Sequence, residues 1–294
     1  MKQSGRRSRR FLTGVMSLCV ALGVIATAHA GLVINVTPAD VPGMPPVMSG
    51  GGNLPDIMSA AAAYWMAAFP DVNWTVDLQY QWGGIGVGLN AQFEPTDDID
   101  GHIIEGDIYF NNSSVDWYAD PNPLNMQSPA YGPLDSETID FNGNPLNIGR
   151  SWQALAGGPA DNYLDLLMVA QHEIGHALGI YNPPATVQDV IITPEISNTF
   201  AGYSIFLDGL HDHIDNPLTA LMASGFHMSA GQRKGISAAD ILAIAEINGW
   251  QNPNLNPYPV PEPSSVVLLL LGIGMSVRFF ARASGKRSLQ TLSA

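Results

Sequence analysis

Cysteine is almost absent from this chain, since Cys19 is the only one among 294 residues. It lies in an N-terminal apolar segment that we expect to be removed. The body of the protein therefore has no disulfide, no thiolate metal ligand and no cysteine nucleophile.

Basic residues are scarce in the middle of the chain. The sequence has 12 Lys and Arg against 26 Asp and Glu, which gives a formal net charge of −14. Only three of the basic residues, but 25 of the acidic ones, lie in residues 31–260. So acidic a body repels the phosphate backbone, which excludes nucleic acid as a partner. A hydrophobic content of 46% supports one sizeable packed core and argues against disorder.

The N-terminus has the features of an export signal. Arginines within residues 6–10 precede an apolar run over residues 11–27, and Ala28-His29-Ala30 supplies the small residues that a signal peptidase requires. We predict a signal peptide over residues 1–30, cleaved after Ala30. A retained membrane anchor is the alternative.

The C-terminus carries a second targeting pattern. Residues 260–263 are Val-Pro-Glu-Pro, residues 266–277 form an apolar run, and four basic residues follow. The run is shorter than the roughly 20 residues that cross a bilayer, although Arg278 can extend it by snorkelling. This tail resembles the PEP-CTERM sorting signal of Gram-negative bacteria. The resemblance implies transient association with the inner membrane, removal by an exosortase, and delivery to the cell surface or extracellular matrix. A plain C-terminal anchor with its basic residues inside is the alternative.

The intervening sequence predicts an α+β domain with a mixed sheet. We expect an irregular lead-in at 31–52, the domain at 53–251, a linker at 252–259 and the sorting tail at 260–294. Apolar periodicity and capping residues predict helices over 53–69, 161–178 (capped by Asp161) and 237–250 (capped by Ser237). Strands are predicted over 73–82, 89–93 and 102–110. Polar and Gly/Pro-rich composition predicts long loops over 111–160 and 181–220.

The motif that indicates chemistry is His172-Glu173-Ile174-Gly175-His176. Residues i and i+4 share one face of a helix, so His172 and His176 can direct both imidazoles at one metal ion. Glu173 follows His172 directly and can polarise a metal-bound water without being a ligand. Neutral imidazole prefers Zn²⁺ to Mg²⁺ or Ca²⁺, which indicates a zinc site.

Extended to Gly179, this motif resembles that of the metzincin metallopeptidases, and of matrixins in particular. The resemblance implies a two-lobed fold with an active-site helix and a C-terminal helix, and it implies hydrolysis of peptide bonds. It also implies that Gly106–Phe110 form the edge strand that receives an extended substrate, and that Met222 forms an apolar floor beneath the metal. The family places a third histidine where this chain has Asn182.

A substitute for the missing histidine lies downstream. His213, Pro217 and the sequence Ala-Leu-Met at 220–222 reproduce the family's order with one residue added. We therefore predict that an insertion of residues 180–210 delays the third ligand, His213, without changing the site. His211, Asn182, His227 or an acidic ligand are the alternatives.

These observations predict a secreted zinc endopeptidase acting on protein or peptide substrates. His172, His176 and His213 would hold zinc, and Glu173 would activate water. The alternatives are a non-catalytic matrix or adhesion protein on a peptidase-like scaffold with a weak metal site, and a zinc hydrolase of another substrate class. A calcium site at the acidic residues is a weaker expectation than a solvated loop there; these residues are Glu94, Asp97, Asp98 and Asp100.

Overall fold

A computed structural model describes residues 31–258, apart from 41–42, 44–45, 84, 86–87, 182–188, 209–211 and 224–227. The predicted signal peptide and sorting tail therefore lie outside the described residues. The helices are α1 (Leu54–Ala68), α2 (Leu166–Ala177) and α3 (Ala238–Asn248). The strands are β1 (Val33–Pro38), β2 (Met48–Ser49), β3 (Thr75–Trp82), β4 (Ala91–Ile99), β5 (His102–Phe110), β6 (Trp117–Tyr118), β7 (Asp135–Phe141), β8 (Asn144–Gln153), β9 (Leu164–Asp165), β10 (Asp189–Ile191), β11 (Ser204–Leu207), β12 (Ile214–Asn216) and β13 (Gln232–Gly235). The expected α+β class is confirmed.

The main sheet has the strand order β1-β3-β5-β4. Strands β1, β3 and β5 are parallel, and β4 runs antiparallel to β5. Alternate residues of β3 (Val76, Leu78 and Tyr80) are buried on one face, as period-2 patterning requires. Helices α1 and α2 pack against each other and against this sheet, so the core lies between them.

Two expectations about this sheet were wrong. Residues Gly106–Phe110 belong to β5, which lies between β3 and β4, so the described sheet has its edges at β1 and β4 instead. Glu94, Asp97 and Asp98 lie on β4 instead of in a loop, and the hairpin turns at Asp100 and Gly101, both with positive φ. Among the described residues, no three of these acidic side chains bring ligand atoms within 4.8 Å of one another.

Helix α1 has the predicted extent. Asn53 caps it by accepting a hydrogen bond from the amide of Asp56 (2.9 Å), and the chain leaves it before Pro70. The fully buried Trp65 donates from Nε1 to the carbonyl of Gln171 (2.8 Å). This bond fixes α1 against the helix that carries the metal-binding motif.

Helix α2 begins later than predicted, because Asp165 and not Asp161 is its cap. The Asp165 carboxylate accepts from the amide of Met168 (2.7 Å), from the hydroxyl of Tyr131 (2.7 Å) and from Nε of Arg233 (2.9 Å). Arg233 has no exposed side-chain surface and also pairs with Asp120 (2.8 Å). A buried carboxylate with three donors holds the start of α2 in a fixed position.

Helix α3 has the predicted cap. Ser237 accepts from the amide of Asp240, whose side chain accepts in return from the amide of Ser237, and Gly249 ends the helix in the left-handed conformation.

Three smaller sheets were not predicted. They have the orders β2-β6-β9, β13-β8-β7 and β10-β11-β12. They include the β7–β8 hairpin, inside the predicted 111–160 loops, and strands inside the predicted 181–220 loops. β1 also forms within the expected irregular lead-in.

The end of the described chain lies against the domain. Asn254 donates from its backbone N–H to the carbonyl of Ala68 (2.8 Å), and the centroid of the Tyr258 ring lies 5.0 Å from that of Tyr64. Among the described residues, no helix has the length and apolar character that a membrane span requires.

Candidate metal centre

Helix α2 presents two histidines side by side. His172 and His176 are buried, and their Nε2 atoms lie 3.1 Å apart with the rings nearly perpendicular (89°). One turn of helix separates the residues, which explains why both rings point to the same position.

The third histidine arrives from a different part of the chain. His213 directly precedes β12, and its ring centroid lies 5.2 Å from that of His172 and 5.0 Å from that of His176. One ligand nitrogen of each histidine lies within 4.8 Å of those of the other two. The three histidines singled out from the sequence therefore meet. The alternatives Asn182, His211 and His227 lie outside the described residues.

The hydrogen bonds of the helix histidines fix which nitrogen carries a proton. Nδ1 of His172 faces the carbonyl of Leu221 (2.9 Å), and Nδ1 of His176 faces the carbonyl of Ile180 (2.5 Å). A carbonyl only accepts, so both Nδ1 atoms donate, and in the neutral ring each Nε2 keeps a lone pair. Two lone pairs then face each other at 3.1 Å.

Protonation of one of the two rings does not relieve this repulsion near pH 7. Burial, with the neighbouring His213, lowers the pKa of His176 to about 4. Burial and the two neighbouring histidines lower the pKa of His172 well below its usual value. Both rings are therefore neutral near pH 7, and a metal cation is the natural partner for their lone pairs. Two zinc–nitrogen bonds of about 2.05 Å at a tetrahedral angle put the nitrogens about 3.3 Å apart, close to the observed spacing. The donor set fits zinc.

Glu173 is an acid in an apolar position. Its side chain is buried, and this burial raises its pKa to about 8, although a hydrogen bond from the amide of Phe93 opposes the shift. Glu173 does not belong to the cluster of possible metal ligands formed by His172, His176 and His213. A carboxyl group with such a pKa exchanges a proton readily near neutrality.

A turn at Leu221 and Met222 packs against α2 between the two helix histidines. A methyl group at Gly175 would overlap the sulfur of Met222, so a larger residue between the two helix histidines would displace the Met222 side chain. Met222 is completely buried, and Leu221 supplies the carbonyl that orients His172.

Asp240 anchors this turn, a role that the sequence did not indicate. Its buried carboxylate accepts from the amides of Leu221 (3.1 Å) and Met222 (2.8 Å), and from the amide (2.7 Å) and hydroxyl (2.6 Å) of Ser237. The capping pattern Ser237-x-x-Asp240 was the available signal, but it predicts only the helix cap. The same carboxylate thus joins α3 to the carbonyl that holds His172.

Replacing Asp240 with alanine is expected to lower the free energy of unfolding by about 3–5 kcal/mol, because buried amides lose their acceptor. Chemical denaturation measures this loss. Ser237→Ala is the matched control, since it removes the cap and one donor to Asp240 but leaves the bonds to Leu221 and Met222, and it costs about 1 kcal/mol. Equal losses in the two variants would show that the bonds to Leu221 and Met222 contribute nothing.

Comparison with known proteins gives one result, and it concerns the tail. Residues 259–287 match the family model of the PEP-CTERM protein-sorting motif. The chain is therefore marked for export and sorting at the cell envelope, and motifs of this kind are recognised by exosortase-type enzymes. No curated protein and no solved structure matches the chain.

Proposed function

We propose that this protein is an exported zinc endopeptidase. The observation that carries the proposal is the meeting of His172, His176 and His213, with the two helix Nδ1 atoms bonded to carbonyls and their Nε2 lone pairs facing each other. Three histidine ligands that leave a coordination position open are typical of catalytic zinc sites.

The proposed roles follow from the chemistry of the side chains. The three histidines hold the ion, which when bound polarises a water molecule and the carbonyl of the scissile bond. Glu173 accepts the proton of the attacking water and returns it to the leaving amine. Burial raises its pKa to about 8, and a bound cation beside the carboxyl would lower that pKa towards the range in which the group accepts a proton near pH 7.

The position of β4 supports an extended peptide as substrate. β4 is an edge strand in the described part of the chain and packs against α2. Its Phe93 ring lies 5.5 Å from Tyr181, whose ring lies 6.4 Å from that of His176. A peptide that pairs with this edge would pass beside the metal centre. We propose a metzincin-like fold on the same grounds, with the antiparallel edge strand beside the zinc helix.

Metal content and cleavage of the full-length protein test the function together. We expect about one zinc ion per chain by elemental mass spectrometry, and digestion of casein or gelatin that stops with 1,10-phenanthroline and returns with added Zn²⁺. Zinc without peptide cleavage would favour a hydrolase of another class. A folded protein without zinc would favour the matrix or adhesion scaffold.

We further propose that the tail holds the chain transiently in the inner membrane until an exosortase removes it. The match to the sorting motif supports this proposal. The intact mass of the secreted protein distinguishes removal of the tail from its retention.

A further inference from the structure

His213 differs from the other two histidines in the partner of its Nδ1 atom. His172 and His176 face backbone carbonyls. His213 instead faces a carboxylate, with Oδ1 of Asp212 at 2.8 Å and Oδ2 of Asp208 at 3.6 Å. The third histidine alone is therefore oriented by charged side chains.

The location of His213 explains why it needs such support. His172 and His176 lie on a buried helix whose backbone and packing restrict their rings. His213 lies between strands, and its side chain keeps 21% of its surface exposed. A ring in this position has more rotational freedom to lose, so an acceptor on Nδ1 contributes more to its orientation.

Asp208 and His213 are also joined through the backbone. The amide of Asp208, which directly follows β11, donates to the carbonyl of His213 (2.9 Å), and Leu207 pairs with Ile214 in the adjoining sheet. The pairing of β11 with β12 therefore brings the carboxylate of Asp208 to the same nitrogen that Asp212 contacts. Both acidic residues and the histidine belong to one folded unit.

We propose that Asp212, supported by Asp208, is a positioning residue for His213, and that the β10–β11–β12 sheet is thereby a working part of the metal centre. The Asp212 carboxylate accepts a hydrogen bond from Nδ1–H of His213, which leaves the lone pair of Nε2 for the ion. The negative charge of Asp212 also makes the His213 imidazole a stronger metal ligand. This inference rests on the proposed zinc function.

Zinc affinity of the full-length protein tests the inference, measured by competition with a chromophoric chelator. Asp212→Ala is expected to weaken zinc binding about 10- to 100-fold, the usual cost of losing an outer partner of a ligating histidine. Asp212→Asn is expected to fall between this variant and the wild type, because the amide oxygen still accepts a hydrogen bond but carries no charge. The matched control is Asp215→Asn, which neutralises an exposed carboxylate two residues beyond His213.

Cobalt substitution supplies a readout that general destabilisation would not change. We expect one equivalent of Co²⁺ in the wild type, and a visible spectrum that changes in Asp212→Ala but not in Asp215→Asn. If Asp212→Ala does not fold, the zinc affinity of Asp212→Asn, compared with that of the wild type and Asp215→Asn, decides whether Asp212 positions His213.

Affinities for zinc that are equal in wild type, Asp212→Ala and Asp215→Asn would overturn the positioning role while leaving the zinc function intact. A second bound equivalent of Co²⁺ that disappears in Asp212→Ala would also overturn it, because the carboxylates would then bind a cation of their own. A wild type that binds neither metal would contradict the zinc function itself, and the inference with it.

Discussion

His213→Ala is expected to bind zinc more than about 100-fold more weakly than the wild type, because loss of a ligand must cost more than the 10- to 100-fold that loss of its outer partner costs. Two helix histidines alone hold zinc poorly. Elemental mass spectrometry of the purified full-length protein should therefore find zinc in the wild type and little in the variant. Peptide cleavage should fall with the zinc content.

His102→Ala is the matched control for this experiment. His102 begins β5 and contacts Asn248 through Nδ1 (2.9 Å), so its loss removes a histidine and a hydrogen bond without touching the cluster. We expect this variant to keep its zinc. Full zinc content in His213→Ala would instead move the third ligand to another residue, with His211, Asn182 and His227 as the remaining candidates.

The helices of the fold could be predicted from local sequence. α1 and α3 directly follow Asn53 and Ser237, whose side chains cap the first turn, and both helices are rich in apolar residues. The start of α2 could not be predicted in this way. Asp161 and Asp165 are both acceptable caps, and the choice depends on Arg233, which is distant in the sequence and contacts only Asp165 of the two.

The strands were harder to predict because several have little apolar character. β7 has no fully buried residue, so it lacks the alternation that identifies a strand. The signal for its hairpin was Asn142-Gly143, both with positive φ between β7 and β8. β4 carries acidic residues opposite other acidic residues, with Glu94 facing Asp107 and Asp97 facing Glu105. Pro95 and the acidic residues have low strand propensity, so the residues of β4 that follow Phe93 could not be predicted as a strand.

The candidate site likewise has one part that local sequence predicts and one part that depends on contacts between distant segments. The i, i+4 spacing of His172 and His176 is a local pattern, and the sequence alone identifies it. His213 meets them only through the β11–β12 pairing and the turn held by Asp240, both of which depend on contacts between distant segments. Sequence order could propose His213 from the Ala-Leu-Met that follows it, but could not decide among the alternatives.

Replacement of Glu173 by glutamine is expected to separate zinc binding from catalysis. Glutamine has nearly the same shape and cannot accept the proton of the attacking water, so kcat/KM for peptide cleavage should fall by at least the 10²- to 10⁴-fold that general-base catalysis typically contributes. The zinc content should stay at the wild-type level, because Glu173 is outside the histidine cluster. Thermal stability should be unchanged or higher, since the variant no longer buries an ionisable group.

Glu137→Gln is the matched control, since it makes the same chemical change at an exposed position of β7. Cleavage of casein or gelatin by this variant should equal that of the wild type. Undiminished cleavage by Glu173→Gln would refute the proposed general base even if zinc is present. Loss of zinc from Glu173→Gln would instead show that the Glu173 carboxylate helps His172 and His176 to bind the metal. The combination of full zinc content and lost cleavage is the result that only the proposed mechanism predicts.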